Sequence, residues 1–543
     1  MRQSLSKLSG QFQDAADAMH ACIRDGDLVR LQALLSDSSH ALDLSRAHVE
    51  YGPPLHFAAW CGDVDAVDLL LDAGADPLLI ATKPYRGQPL YLAVYTGHRD
   101  VVKRLWSLTS ASRALLHWSD DLKAEALIHA AAYWHHDATA VLLQSSVFDS
   151  GTIGAALDAA IDDRAWGGPN PPTPEGFDYH NHQRLVGLLI DALKASADLD
   201  GSPFCGAHVL LSAASNANLV GALSTLLAKG AEPDRQDGAG YTALHIVASP
   251  VPVGRWSSGR QASNKAAIEM LVRHGASVVV PDNKGDAPLQ LAAFGADLPS
   301  FKLYLSPLSN SEALLVLTNL NGETLLHYAA AGCNIGIMEH LIAQGLDVNA
   351  RNTNGWTPLM CALTPTLSSP LTYDKATATT TPAESTRAAQ LLLHHGADAR
   401  IVTDEGWTTL HALALHCDVD ALGRIAEMAV QIIGQGVDPE ARAPLPTLHS
   451  AQHRQGMPWG HRLRKAMMDP SVHRLVLQPS LTPLQWAAQH GAVGVVKALL
   501  AAGVDATVVD ASGTSVVDMV HASYVQSEVV DVIVALLRDG KGS

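Results

Sequence analysis

The chain has 543 residues, 47% of them hydrophobic, and its 37 Lys and Arg against 54 Asp and Glu leave a formal net charge of −17. That field repels phosphate backbones and anionic lipid, so no nucleic acid partner is expected. The first nineteen residues lack the apolar core of a secretory leader, and no stretch approaches about eighteen uninterrupted apolar residues, so neither secretion nor membrane insertion is expected. Cys22, Cys61, Cys205, Cys333, Cys361 and Cys417 form no Cys-x-x-Cys pair. They read as reduced thiols, which points to the cytoplasm with the nucleus as a second compartment, and away from a zinc ribbon or disulfide framework.

In chain order, Asp14 to Leu35 reads as two short helices, Ala15 to Ile23 and Asp27 to Leu35, forming a capping pair at 14–35. Gly52-Pro-Pro-Leu-His56-Phe-Ala-Ala59 then opens a unit that continues through Val67-Asp-Leu-Leu-Leu71 to Gly74-Ala-Asp-Pro77, and related units begin at Gln88-Pro-Leu-Tyr91 and Ala126-Leu-Ile-His129. The clearest copy is Gly322 to Asn354. There Thr324 is placed to cap a helix with Leu325, Leu326, Ala329 and Ala330 on its apolar side. A second helix from about Ile335 to Gln344 turns Ile337, Met338, Leu341 and Ile342 inward, and Gly345 suits a left-handed C-terminal position. Helices this short are marginal alone, so such units must stack.

Gly-Tyr-Thr-Ala-Leu-His at 240–245, Gly-Trp-Thr-Pro-Leu at 355–359 and Gly-Trp-Thr-Thr-Leu-His at 406–411 resemble the motif of the ankyrin repeat family, whose unit is about 33 residues. The resemblance runs from about Asp14 to Leu537. It implies an all-α repeat solenoid of twelve or thirteen units including caps, each a helix-turn-helix plus a β-hairpin finger. The position that is usually His in the family falls at His20, His56, Tyr91, His129, Leu157, Leu211, His245, Gln290, His327, Met360, His411, Gln485 and Asp518. Family resemblance implies that the histidines among these hydrogen-bond the neighbouring finger turn, and it places Asn349 in a finger turn. The array spans 36–435, with final repeats and a C-terminal cap at 481–537.

Four spacings between these positions are long: 54 from Leu157 to Leu211, 45 from His245 to Gln290, 51 from Met360 to His411 and 74 from His411 to Gln485. They imply inserts near 165–183, 250–263 and 364–386, each between the two helices of its unit, and a fourth at 436–480 growing from the finger side. The fourth holds six basic residues against Asp438, Glu440 and Asp469, with Trp459 and four histidines. Thr364-Pro365, Ser369-Pro370 and Thr381-Pro382 offer phosphoacceptors in a loop of Ser, Thr and Pro.

The leading reading is a non-catalytic scaffold or adaptor, monomeric by default and without cofactor, that binds a protein partner on a concave surface of fingers and inner helices. By family resemblance the contacts are Arg235, Asp237, Asn283, Lys284, Arg351, Asn352 and Asn354. Composition adds Trp459, Arg462, Arg464 and Lys465, because Trp and Arg dominate interface hot spots. The alternative is an enzyme or a metal- or small-molecule-binding protein whose pocket the inserts build. Asp178, His180 and His182 alternate, as three ligands on an extended strand would, and His449 and His453 have the i, i+4 helical ligand spacing, with His461 near. Walker-type phosphate loops and Gly-x-Ser-x-Gly elbows are absent from the sequence.

Overall fold

The computed structural model describes residues 15–36, 43–45, 52–81, 87–111, 120–161, 179–196, 207–215, 219–248, 265–308, 316–364, 381–416, 423–443, 480–510, 513–523 and 527–539. These residues form thirteen helix pairs: Ala15–Asp25 with Leu28–Ser36, Pro54–Cys61 with Val64–Asp72, Pro89–Thr96 with Arg99–Ala111, Asp120–Ala132 with His136–Ser145, Ser150–Ile161 with Tyr179–Ser196, and Ala207–Ser215 with Val220–Ala228. They continue as Ala243–Ala248 with Lys265–Arg273, Pro288–Gly295 with Leu298–Leu305, Leu325–Ala331 with Ile335–Ala343, Pro358–Leu363 with Pro382–His394, and Thr409–Leu413 with Arg424–Gly434. Pro483–His490 with Val493–Ala501 and Val516–His521 with Ser527–Asp539 close the series. Among the described residues the only β pairings outside helices are isolated bridges at the fingers.

The chain divides into two compact units, residues 1–213 with 218–232, and residues 214–217 with 233–543. Inside the first, Pro54–Cys61 lies against Ala15–Asp25 and Pro89–Thr96, while Val64–Asp72 lies against Leu28–Ser36. Inside the second, Leu325–Ala331 lies between Pro288–Gly295 and Pro358–Leu363. First helices thus stack on first helices and second on second. Small side chains make that approach close enough: Ala58, Ala59, Ala292, Ala293, Ala329, Ala330, Ala487 and Ala488 are all fully buried.

Local chemistry explains where the helices begin and end. Pro54, Pro89, Pro288, Pro358 and Pro483 stand in the first turn, where a missing N–H costs nothing. The Thr482 hydroxyl accepts from Gln485 N–H in the expected way. Thr324 differs from expectation, because its hydroxyl lies 2.9 Å from Nδ1 of His327, three residues on, rather than receiving a backbone amide. The following helix ends at Ala343, Gly345 takes φ +92°, and Ile337, Met338 and Leu341 are buried while Ile342 is half-buried.

Repeat register corrects one assignment. His98 and His135 occupy matching turn positions, each donating its backbone N–H five residues back, to Ala93 and Ala130. Counting from them, the partner of Tyr91 in the third unit is Ile128, and His129 sits one place further on. Its imidazole packs edge-on to Tyr91 at 4.9 Å and stacks on Tyr133 at 6.4 Å rather than serving as the finger clasp.

Three inserts leave the stack between the helices of their own unit, and 162–178, 249–264 and 365–380 lie outside the described residues. Two are shorter than the sequence suggested. Tyr179–Ser196 is helical from its first residue, and Thr381 is not loop but an N-cap, its hydroxyl accepting from Glu384 N–H at 3.2 Å. The fourth insert is set in a finger. Ala443 and Leu481 pair as a bridge, N–H to O at 3.0 and 2.8 Å, as Ala81 and Gly87 do in the first finger. Residues 436–443 are therefore ordinary finger, which takes Asp438, Glu440 and Arg442 out of the insert. What remains is 37 residues, 444–480, in place of a three-residue tip such as 353–355.

Candidate functional site

Successive fingers of the second unit share one construction. A side-chain oxygen at the start of the tip accepts the amide hydrogens two and four residues on, closing the turn. Asp237 Oδ1 takes the Ala239 and Tyr241 amides, both at 2.9 Å. Asp282 takes Lys284 and Asp286, Asn319 takes Asn321 and Glu323, and Asn352 takes Asn354 and Trp356. Asp237 and Asn352, expected from sequence as partner contacts, are thus committed to holding the turn, and Asn352 is buried.

The fingers are also tied to one another. Thr353 N–H donates to Asn321 O at 2.8 Å, Asp404 N–H to Asn354 O at 3.2 Å, and Asn283 reaches Ala239 O through its amide and Gly238 O through its side chain. Arg351 is engaged across the row, with Val402 O at 3.0 Å and the Asp404 carboxylate at 2.8 Å. Lys284 Nζ donates to the Tyr241 hydroxyl at 3.3 Å, and Asn349 bridges to Gly396 O and Asp398 N–H. Arg235 is half-buried. Of the seven finger residues expected from sequence, Asn283, Arg351 and Asn354 are exposed.

The fingers additionally expose apolar side chains. Val316 is 77% exposed, Leu320 72%, Val509 45%, Val402 41% and Val279 39%. They stand on four fingers of the unit, and backbone hydrogen bonds through 352–356 join the finger of Val316 and Leu320 to that of Val402, which distinguishes these from single surface leucines. Sequence reasoning missed them because it ranked polar tip residues by family habit; the available signal was a β-branched or Leu residue where turns favour Gly, Asn and Asp.

Beneath the row is a buried polar cluster. Asn319 Nδ2 donates to Asp286 Oδ1 at 2.9 Å and Glu323 Oε2 at 2.7 Å, and the Tyr328 hydroxyl donates to the same Asp286 oxygen at 2.5 Å. Asn352 Nδ2 stands 3.4 Å from Glu323 Oε1. Asp286 is 4% and Glu323 1% exposed. Desolvation, reinforced by repulsion from Asp282 at Asp286 and from Asp286 at Glu323, pushes the Asp286 carboxyl up to about 6 and Glu323 up to about 8.

Five of the motif histidines, His20, His56, His245, His327 and His411, are structural clasps. His245 Nε2 meets Asp286 O at 2.9 Å, His327 Nε2 Trp356 O at 3.1 Å, and His411 Nε2 Leu481 O at 3.2 Å. His20 and His56 make the same contact with Gly52 O and Gly87 O. A carbonyl only accepts, so Nε2 carries the hydrogen; at His245, His327 and His411 Nδ1 accepts a Thr N–H, so these rings are neutral. Burial holds the pKa of His245, His327 and His411 at about 4.

The alternating trio does not assemble. Asp178 lies outside the described residues, His180 is exposed, and His182 is buried two residues further along a helix, its Nε2 on Ala160 O at 2.9 Å and its ring 4.0 Å from Trp134. His98 and His135 make a similar ring contact but with the preceding helix pair, at Trp60 O and Tyr95 O, whereas His182 bonds within its own pair. His136 instead pairs with Asp137. His449, His453, His461, Trp459, Arg462, Arg464 and Lys465 lie outside the described residues. Among the described residues no three His, Cys, Asp or Glu side chains are grouped to hold a metal, and no helix is long and apolar enough to cross a membrane.

Paired short helices, stacked alanine faces and fingers clasped by imidazoles define a helical repeat protein of the kind that presents a surface rather than a cleft. The chain is an ankyrin repeat protein: the family described as "Ankyrin repeats (3 copies)" matches residues 294–365, and "Ankyrin repeat" matches 53–83 and 481–511. It is 28% identical over 130 residues to Ankyrin repeat protein OPG189 of Variola virus, covering 24% of this chain and 22% of that one. It is 35% identical over 85 residues to NF-kappa-B inhibitor alpha of Rattus norvegicus, 15% of this chain and 27% of that one. Over 187 residues it is 30% identical to SH3 and multiple ankyrin repeat domains protein 2 of Homo sapiens, 34% of this chain and 9% of that one. The matches span about a quarter or less of each relative's length. Protein–protein interaction is the role that fold and relatives support, in a family that is generally non-catalytic.

Proposed function

We propose that the chain is a scaffold or adaptor whose second unit docks a protein partner along its finger row, with the 444–480 insert tuning which partner is taken. The observation that carries this reading is the exposure of Val316, Leu320 and Val402 on fingers that backbone hydrogen bonds join through 352–356, with Val279 and Val509 exposed on further fingers of the same unit. A surface already ordered loses little entropy on binding, and apolar side chains exposed on it supply the driving force. NF-kappa-B inhibitor alpha is named for inhibiting a protein, which supports a protein as the class of ligand. The insert's five basic residues against Asp469 suit an acidic edge on that partner.

Quantitative capture from source lysate tests it with three chains: intact, Leu320→Glu with Val402→Glu, and one with residues 444–480 replaced by Asn-Asn-Gly. The reading predicts a stoichiometric protein on the intact chain, its loss with the double finger variant, and altered partner choice with the tip replacement. Capture unchanged by the double finger variant would sink it.

A further inference from the structure

We infer that Asp286 and Glu323 form a buried carboxyl pair that holds one proton between them, and that losing this proton loosens the fingers that carry them. The geometry centres both carboxyls on one shared donor, with the Tyr328 hydroxyl on Asp286 and the Asn352 amide at 3.4 Å from Glu323 as the other, equally neutral, donors. Asn319 Nδ2 serves Asp286, Glu323 and the Tyr328 oxygen, and it cannot be flipped, because Asn319 Oδ1 is already taken by the Asn321 and Glu323 amides at 3.0 and 2.9 Å. The amide nitrogen therefore stands where a cation would have to stand, which makes this a proton site and not a metal site.

Every titratable or charged group facing the pair leaves that balance intact. Asp282 adds a third negative group beside Asp286, and Tyr241, Tyr328 and Cys361 are neutral neighbours whose own ionisation the pair opposes. Lys284 is the one cation acting on Asp286 among the described residues, and its ammonium is turned to the Tyr241 hydroxyl. With both carboxyls ionised, two desolvated like charges would be met only by neutral donors, the Asn319 and Asn352 amides and the Tyr328 hydroxyl. One proton relieves that, and the two groups then titrate as a coupled pair. The alternative relief is opening of the Asn319–Glu323 turn to water. Neighbouring fingers differ: the position of Asp286 and Glu323 is Tyr241 before them and Trp356 and Trp407 after them, so the device is confined to the middle of this row.

Hydrogen exchange of the full chain, followed by mass spectrometry over 316–330 and 350–364 and corrected for the intrinsic base dependence, reads the opening. With Glu323 held at about 8 when folded and titrating normally when open, the opening constant rises about tenfold between pH 7 and 9. Glu323→Gln, which keeps the protonated shape, is expected to abolish the rise. Asp286→Asn, which removes the neighbouring charge, is expected to make the rise smaller than in the parent. A parent chain flat across this range overturns the inference, as does an undiminished rise in either variant.

Discussion

His327 allows the clasp to be tested with a control that the protein itself supplies. Its imidazole accepts the Thr324 N–H at 3.2 Å, pairs with the Thr324 hydroxyl at 2.9 Å and donates to Trp356 O at 3.1 Å, in a site only 1% exposed. His327→Leu removes all three bonds while the Trp356 carbonyl keeps the Asn352 N–H at 2.9 Å, so at about 1 kcal/mol per lost bond the cost is about 3 kcal/mol. His327→Gln should cost no more than about 1 kcal/mol, since the role of a side-chain amide here needs only one acceptor and one donor in register. Gln290 shows that register: its Oε1 accepts from Ala287 N–H at 2.8 Å and its Nε2 donates to Glu323 O at 3.1 Å. Urea unfolding followed by circular dichroism, with exchange over 324–363 to localise the loss, separates the two variants. Equal destabilisation by Leu and Gln would show that ring volume, not hydrogen bonding, makes the clasp, and would refute the reasoning.

Acid should weaken the second unit through the same rings. Their folded pKa of about 4 lies below the ordinary 6.5, so their contribution is complete above that value and is lost as pH falls from 6.5 to 4, by up to about 3 kcal/mol each. Glu323 and Asp286 are raised and act oppositely, losing stability as pH climbs, so thermal midpoints scanned from pH 4 to 9 should peak near about pH 6–7 and not rise monotonically. Gly97→Ala puts a methyl at φ +77° and 2.3 Å from the His135 ring; strain and clash together should cost about 2–4 kcal/mol, read as a lower urea midpoint. Trp407→Ala, at a side chain 1% exposed and 5.3 and 5.9 Å from Trp486 and Trp356, should cost about 3–5 kcal/mol in the same assay. Replacing 444–480 by Asn-Asn-Gly should leave the unfolding midpoint within about 1 kcal/mol of the parent, because the Ala443–Leu481 bridge already closes the finger.

The architecture was readable because each repeat writes it again. Ala-Ala faces, proline after the cap and glycine after the second helix recur often enough for thirteen helix pairs to emerge from spacing alone. Register was lost where a single letter stood for the motif: His129 matched the expected residue type, but the left-handed turn residue, Trp134 at φ +60°, follows Ile128 and not His129 by the six residues that separate Gly62 and Gly97, both at φ +77°, from His56 and Tyr91. His182 was misread for a related reason, since alternation suggests ligands only if the segment is extended, and here it is helical. The acid pair was invisible because it is assembled across repeats: the hydrogen bonds that join Asp286, Asn319, Glu323, Tyr328 and Asn352 span 4 to 42 residues. Exposure of Leu320 and Val402 likewise depends on which side of a finger turns outward.

Site-specific photo-crosslinking in cells of the source tests the docking surface most directly. A benzophenone amino acid would replace Leu320, Val402 or, as control, Val29, which is 82% exposed on a helix of the first unit. The account predicts one shared protein adduct from positions 320 and 402 and none from 29. Adducts from 29 alone, or an identical pattern from all three positions, would contradict it.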